Sequence, residues 1–179
     1  RDAMHKGISL VPEDRKGQGL VLMQSILKNI SLANLDQFAG FMRIDSDAEM
    51  VAATRQAKAL AVKAPNLQAQ VDSLSGGNQQ KVVIAKWLLS NPKILIMDDP
   101  TRGIDVGAKY EIYKLMNDLA ERGVSIIMIS SELEEVLGMS DRIMVMHEGR
   151  STRTLEIAEA TQERIMALAT GIADELAPV

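Results

Sequence analysis

Two adjacent carboxylates follow an apolar run in the second half of the chain, and they are the first candidates for chemistry. Residues 94–97 form the run, and Asp98 and Asp99 come directly after it. An open α/β sheet binds its ligands at the carboxyl ends of its strands, where these side chains would lie. Asp98 is suited to holding a magnesium ion through water, and Asp99 to orienting an attacking water. A solvated strand end would show the same residues, so both interpretations stay open.

The adjacent glycines Gly76 and Gly77 are a second candidate, because a helix is predicted to begin directly after them at Asn78. Without side chains they let backbone amides approach an anion, and a helix N-terminus adds unpaired donors and a favourable dipole. Ser75 contributes a hydroxyl at the same point. A capped helix that follows a tight turn would need similar residues, and the glycines alone do not separate the two interpretations.

Polar side chains that could cap helices occur at three further points. Asp105 ends a turn over residues 102–105, and it either joins the site or caps the following helix. Ser25 is predicted to cap a short helix. Ser131 is predicted to begin another helix, with Glu134 three residues later as in a capping box.

Strand and helix alternate through the second half of the chain, which is typical of a largely parallel α/β sheet. The stretch between the first strand and the first helix is charged and glycine-rich, and it predicts a flexible, exposed loop over residues 13–19. Apolar runs predict strands at residues 8–11, 94–97, 124–129 and 142–147. Helical spacing and composition predict helices at residues 47–62, 78–89, 112–119 and 161–169.

Composition excludes several classes of protein. The 179 residues carry a formal net charge of −4, which argues against a generally basic nucleic-acid binder. The chain has no cysteine, so disulfides, thiolate nucleophiles and cysteine metal sites are excluded. It has only 2 histidines, so a histidine-rich metal centre is not expected. No apolar run approaches the roughly 18 residues that a membrane-spanning helix needs.

Taken together, these motifs resemble those of the ATP-binding cassette (ABC) ATPases. Residues 74–79 are similar to the family's signature motif, and residues 94–98 to its Walker B strand. Asp99 stands where the family has its catalytic carboxylate, and residues 102–105 look like its D-loop. Several spaced motifs therefore agree with one family.

Two longer segments are similar to one branch of that family. Residues 11–19 and 101–109 look like the second cassette of importers for ribose, xylose or galactose, which carry two cassettes on one polypeptide. The resemblance implies a truncated P-loop NTPase-like core at residues 1–23 and 91–179. It also implies a helical subdomain with the signature at about residues 24–90.

The resemblance also implies ligands and roles for particular residues. In the family, two cassettes pack head to tail, and each ATP lies between the phosphate loop of one and the signature of the other. ATP and Mg²⁺ are therefore the implied cofactors. The implied ATP-binding residues are Ser75, Gly76, Gly77, Asn78, Gln79 and Asp105. The implied metal-binding residues are Asp98 and Glu13, and the implied catalytic residues are Asp99, Glu13 and Ser131.

At several positions the chain departs from the family pattern. It contains no Gly-x-x-x-x-Gly-Lys-Ser/Thr loop, so we expect the N-terminal part of the cassette to be missing and the 179 residues alone to have negligible ATPase activity. Glu13 replaces the family's Q-loop glutamine, Asp99 its glutamate and Ser131 its switch histidine. Asn78 is a milder change in the signature. These changes predict a cassette that hydrolyses ATP slowly or not at all but supplies its signature to the partner's site.

The implied partners are a second cassette, membrane-spanning permease subunits and, indirectly, a periplasmic sugar-binding protein, with no nucleic acid. The implied location is the cytoplasmic face of the inner membrane, as a peripheral subunit. Two alternatives are a soluble ABC-type ATPase of translation or DNA repair and a non-catalytic regulatory module. Salt-dependent binding of RNA or DNA would favour the first alternative.

Overall fold

The computed structural model describes residues 1–40 and 43–171, which fall into two compact units. The first unit is Arg1–Ile129 and the second begins at Ser130. The strands are β1 (Ile8–Val11), β2 (Ile94–Asp98), β3 (Ser125–Ile129), β4 (Arg142–His147) and β5 (Arg150–Glu156). The helices are α1 (Asp2–His5), α2 (Ile26–Ser31), α3 (Ser46–Ala59), α4 (Gly76–Leu88), α5 (Val106–Glu121), α6 (Leu133–Met139) and α7 (Gln162–Ala169).

The first unit contains a three-stranded parallel sheet in the order β1-β2-β3, which confirms three of the predicted strands and the predicted α/β class. Val11 pairs with Met97 across β1 and β2, and Asp98 pairs with Ile129 across β2 and β3. α4 packs against β1, and α5 packs against β3. On this covered face Val11, Leu95 and Met97 are fully buried. Alternate residues of each strand therefore form the core between the sheet and these two helices.

The opposite face of the sheet is apolar but exposed to solvent. Leu10, Ile96 and Ile127 lie side by side across the three strands, and Ile129 follows two residues along β3. The exposed fraction is 46% for Leu10 and 50% for each of Ile127 and Ile129. Parallel sheets are normally covered on both faces. These four residues are called the open face. An apolar sheet face of this kind is normally covered by a further layer, and it is exposed within the part of the chain that the structure describes.

Helices α2, α3 and α4 pack on one another beside the sheet. The hydroxyl of Ser25 accepts a hydrogen bond from the backbone amide of Lys28 and caps α2, as predicted. Glu49 on α3 is almost completely buried; its carboxylate accepts hydrogen bonds from the hydroxyl of Ser31 at 2.5 Å and from the amine of Lys28 at 3.1 Å. Both charges of this pair are thus bonded, which offsets the cost of burying the carboxylate.

The prediction of a flexible loop over residues 13–19 was wrong for most of the segment. Arg15–Gly19 forms one turn of π-helix, and Asp14 caps it by accepting hydrogen bonds from the amides of Lys16 and Gly17. Gly19 is buried at the end of the turn. Charged residues and glycines favour loops locally, but here the aspartate cap and the packing of Gly19 override that tendency.

The second unit contains an antiparallel hairpin of β4 and β5 over which α7 packs. Its core is Ile143, Val145, Leu155, Ile165 and Leu168. Residues 142–147 are a strand as predicted, but the expectation that they extend the parallel sheet was wrong. Glu148 and Gly149 both have positive φ angles, 46° and 77°. That geometry is typical of the tight turns that join antiparallel strands, and it returns the chain at once along β4.

The predicted helix cap at Ser131 was also wrong. α6 begins at Leu133, and its N-cap residue is Glu132, whose side chain makes no capping hydrogen bond. The hydroxyl of the neighbouring Ser130 donates to the carboxylate of Glu135 and accepts from the amide of Glu132 at 3.0 Å. Among the described residues, none of the helices is both long and apolar enough to cross a bilayer.

An ion pair with one buried partner joins α4 to α5. The amine of Lys81 is buried, lies 2.8 Å from the carboxylate of Glu111 and donates to the carbonyl of Ala61 at 3.2 Å. The exposed amine of Lys63 is 3.2 Å from the same carboxylate. Hydrogen bonds from Lys81 and Lys63 hold the pKa of Glu111 below its ordinary value of 4.5. A carboxyl group whose pKa is lower in the folded state stabilises the fold above that ordinary value, and this stabilisation is lost as the pH falls through the lower folded value.

The ion pair predicts a pH-dependent loss of stability in Glu111→Gln. The substitution leaves the buried Lys81 without its carboxylate, and we expect the Tm at pH 7 to fall by about 2–4 °C. The difference from wild type should begin to shrink as the pH falls below 4.5, where the carboxyl of the unfolded chain takes up a proton, and should disappear as the pH falls through the lower folded value. Thermal unfolding followed by circular dichroism between pH 3.5 and 7 measures this. Glu121→Gln, an exposed position on the same helix, is the matched control and should leave the Tm unchanged.

Candidate functional site

The parallel pairing of β1 and β2 brings three acidic side chains to one edge of the sheet. Val11 pairs with Met97, so the segments that follow the two strands leave the sheet side by side. One segment carries Glu13, and the other carries Asp98 and Asp99. This is the edge at which open parallel sheets bind ligands.

The chain turns sharply at Asp99. Its φ angle is 39°, which lies in the left-handed region that residues other than glycine rarely adopt. The backbone amide of Asp99 donates to the carbonyl of Ile129 at 2.9 Å, so the neighbouring strand β3 holds this conformation in place. Such strain at a strand end is common at functional sites.

Glu13 forms an ion pair with Arg102, a residue of the turn that follows β2. Its carboxylate is only half-buried and therefore also faces solvent. A magnesium ion bound by Glu13 would have to compete with this guanidinium for the carboxylate oxygens. Glu13 was predicted to be a metal ligand, and the sequence did not reveal that Arg102 pairs with its carboxylate.

Arg15 makes a second link between the same two segments. Its Nη1 donates to the carbonyl of Arg102 at 2.7 Å, and its Nη2 donates to the carbonyl of Gly103 at 3.0 Å. Gly103 has a φ angle of +65°, which suits glycine. The turn at residues 102–105 is therefore held from the side of β1 as well as by its own backbone.

The segment predicted to bind ATP lies at the start of α4. Ser75 is the N-cap residue and is exposed, with no capping bond from its side chain to a backbone amide. Its hydroxyl accepts from the side-chain amide of Asn78 at 3.0 Å, and the side-chain oxygen of Asn78 accepts from the amide of Lys63 at 2.7 Å. The first amides of a helix have no acceptor within the helix, so the amides that follow Ser75 suit an anion.

Gln79 points into the protein. Its side chain is 3% exposed, and its Nε2 donates to the carbonyls of Leu74 at 3.2 Å and Val71 at 3.4 Å. Its Oε1 is buried without a hydrogen-bond partner. The side chain predicted to bind ATP therefore lies in the interior, where it holds the segment that leads into α4.

The second signature glycine sits at a close approach of two helices. A Cβ atom built on Gly77 would lie 2.5 Å from the Cβ of Ala108 on α5, which is too close for any side chain. Asp105 caps α5, because its Oδ1 accepts from the amide of Ala108 at 2.9 Å. The capping interpretation of Asp105 is thus confirmed.

A metal site built from protein side chains alone is not present in the described residues, where no three or more acidic or histidine side chains cluster with suitable geometry. Asp98 at the end of β2 could still hold Mg²⁺ jointly with phosphate oxygens and water, which is how proteins commonly bind this ion. The donor set therefore fits a nucleotide-bound magnesium ion better than a free one. Ser131 lies at the start of the second unit, before α6.

Comparison with known proteins assigns the family. A sequence model described as "ABC transporter" matches residues 1–102. The chain belongs to the ABC transporter family. Among curated ABC proteins, it is 57% identical over 170 residues to the xylose import ATP-binding protein XylG of Geobacillus kaustophilus, covering 95% of this chain and 34% of that protein. It is 55% identical over 171 residues to the ribose import ATP-binding protein RbsA of Bacillus subtilis, covering 96% and 35%. The chain thus spans about a third of the length of these relatives.

Solved ABC structures share the fold. One is a nucleotide-free ATP-binding cassette from an ABC transporter, with a TM-score of 0.71 and 23% identity, matched over 87% of this chain and 63% of that one. Another is a dimeric ATP-binding cassette in a post-hydrolysis state bound to ADP and phosphate, with a TM-score of 0.69 and 24% identity, matched over 84% and 62%. More than a third of each solved cassette has no counterpart in this chain.

Two residues that contact the candidate site were missed by sequence reasoning. Arg15 and Ala108 contact the turn and the signature across more than thirty positions of sequence. Both lie in the segments 11–19 and 101–109 that carry the family resemblance, but neither received a role there, because no local pattern encodes a contact over such a separation. An arginine beside a glycine-rich stretch is a weak signal that could have drawn attention to Arg15.

The close helix approach predicts the effect of Gly77→Ala. Glycine-to-alanine changes in helices are normally stabilising, but here the new methyl group meets Ala108 and should cost about 1–3 kcal/mol of unfolding free energy. Urea unfolding measures the change. Ala108→Gly in the same molecule should recover most of the loss, because it removes the opposing atom.

Gly138→Ala is the matched control for this prediction, because nothing lies within 4 Å of a Cβ built there and the position is helical. It should stabilise the chain by up to about 1 kcal/mol. If Gly77→Ala behaves like Gly138→Ala, the described approach of α4 to α5 is wrong.

Proposed function

We propose that this chain is the C-terminal part of the second nucleotide-binding cassette of an ABC importer for a monosaccharide. In the full assembly it contributes its signature segment to an ATP that the partner cassette holds. The observation that carries the proposal is the start of α4, where Ser75 is exposed and the first amides of a 13-residue helix have no acceptor within the helix. The sugar-import names of relatives that match 95–96% of the chain support the same assignment.

The open face of the sheet supports the view that the cassette continues beyond this chain. Leu10, Ile127 and Ile129 are about half exposed on a parallel sheet that needs cover on both faces. The remaining third of a solved cassette has no counterpart here. A further strand and helix of the same cassette, with a phosphate-binding loop, would bury these side chains and supply the lysine that this chain lacks.

The acidic edge indicates what this cassette contributes to its own nucleotide. Asp98 would hold Mg²⁺ through water, and a bound magnesium ion would neutralise charge on the phosphates. Asp99 would orient the attacking water, but its side chain is shorter than the family's glutamate and its backbone is held in the left-handed region. Glu13 is paired with Arg102, and Ser131 has no imidazole with which to act as a switch. We therefore expect slow hydrolysis or none at this site.

The same proposal implies partners. The second cassette would meet the start of α4, and permease subunits would contact the region of α2 and α3. A periplasmic sugar-binding protein would act through the permease, no nucleic acid is involved, and the assembly would sit at the cytoplasmic face of the inner membrane. The surface of α3 bears a largely apolar groove of about 530 Å³ that Met50, Leu67 and their neighbours line, and this groove suits a protein contact.

Replacement of Ser75 by arginine tests the proposal. In the full-length two-cassette protein assembled with its permease, the larger cationic side chain would fill the space in front of the α4 amides. We expect ATP hydrolysis and sugar transport to fall at least about tenfold, as when a positioned group is lost from an active site. Ser73→Arg is the matched control, because Ser73 is exposed and lies just before the signature.

Two outcomes would contradict the proposal. One is normal ATPase and transport rates in the Ser75→Arg protein, which would remove the signature from the working site. The other is an equal loss in Ser73→Arg, which would mean that any bulky cation in this region is harmful. Salt-dependent binding of RNA or DNA by the wild-type protein would instead favour an ATPase of translation or DNA repair.

A further inference from the structure

The π-helical turn Arg15–Gly19 is fixed to α4, the helix that begins with the signature. The buried amine of Lys86 on α4 donates to the carbonyl of Gly19, and burial lowers the pKa of this lysine. A Cβ atom built on Gly19 would lie 3.0 Å from Val83, so the turn packs closely on the same helix. At its other end, Asp14 caps the turn. Arg15 therefore belongs to a turn that is attached to α4.

The guanidinium of Arg15 lies where three segments meet. It donates to two successive carbonyls, those of Arg102 and Gly103, in the turn after Asp99. It also abuts the first signature glycine, because a Cβ atom built on Gly76 would be 2.9 Å from its Nη2. The π-helical turn, the turn at residues 102–105 and the start of α4 thus all contact one planar group.

Arg15 binds the backbone through two hydrogen bonds whose geometry is set by its planar guanidinium. Its Nε is buried without a hydrogen-bond partner, and the nearby carboxylate of Glu13 pairs with Arg102 instead. Within the described residues, the hydrogen bonds of the guanidinium are those to the two carbonyls. A fork of two parallel donors fixes both the distance and the orientation of the backbone that it grips, which a single-point donor does not.

We propose that Arg15 is a positioning residue that holds the turn at residues 102–105 in register with the signature glycines. The inference rests on the proposed function, in which both segments border an ATP shared between two cassettes. The turn begins three residues after Asp99, and the amide of Arg102 donates to the carbonyl of Asp99 at 3.1 Å, so the fork also fixes where the chain leaves that carboxylate. Loss of the fork should disturb alignment for the chemical step more than the affinity for ATP, because the guanidinium of Arg15 binds backbone carbonyls of the turn.

The first test uses hydrogen–deuterium exchange on the 179-residue chain. In Arg15→Ala and Arg15→Lys, we expect the amides of residues 102–105 and 76–79 to exchange about tenfold faster, with the amides of β2 unchanged. Lysine should fail as alanine does, since it keeps the charge but offers no fork. Arg55→Ala, an exposed arginine on α3, is the control and should behave as wild type. Unchanged exchange in Arg15→Ala would overturn the proposal.

The second test uses ATP hydrolysis by the full-length two-cassette protein. We expect kcat to fall about tenfold or more in both Arg15 variants, with the KM for ATP changed less than about threefold. Wild-type kcat in Arg15→Lys, or a raised KM with normal kcat, would overturn the positioning role. If the wild-type protein hydrolyses no ATP, the proposed function fails, and the exchange experiment alone decides whether Arg15 orders the two segments.

Discussion

The parallel alignment of β2 between β1 and β3 is the constraint on which the site depends. It makes the chain leave β1 and β2 at one edge, so that residues more than eighty positions apart become neighbours. Glu13 can then pair with Arg102, and Arg15 can grip the turn that follows Asp99. Without this register, neither the acidic edge nor the turn at residues 102–105 would have a fixed place.

A second close contact fixes the position of the signature segment relative to this edge of the sheet. Gly77 allows α4 to approach α5 at Ala108, and Asp105 caps α5 at the same residue. The start of α4 is thus positioned by α5 on one side and by the Arg15–Gly19 turn on the other. The amides that suit an anion belong to a supported helix end, and preorganised donors of this kind bind charge without further rearrangement.

The sequence predicted the elements better than the way in which they pair. Apolar runs identify the strands because burial on a sheet imposes their composition, and Ser25 identifies a cap because its partner is three residues away. Residues 142–147 read as a strand, but the local pattern does not say whether a neighbour is parallel or antiparallel. The two-residue turn of Glu148 and Gly149 makes β5 antiparallel to β4. This turn is a better guide to the pairing than the alternation of strands and helices along the chain.

The motif residues of the site were recognisable, whereas their partners were not. Ser75 is exposed at a helix start, but Gly77 and Gln79 are buried and Glu13 is paired. Burial and ion pairing depend on residues that are distant in sequence, so the spacing of a motif cannot report them. The spacing of Ser131 and Glu134 likewise predicted a cap one residue early, because the N-cap of α6 is Glu132.

In the proposed function, this chain contributes donors to a shared ATP but does not hold ATP by itself. Titration of a fluorescent ATP analogue with Mg²⁺ into the 179-residue chain, alone and together with the other cassette of the transporter, measures this directly. We expect no saturable binding by the chain alone, and nucleotide-dependent association when the other cassette is present. Saturable one-to-one binding by the chain alone at micromolar concentration would contradict it.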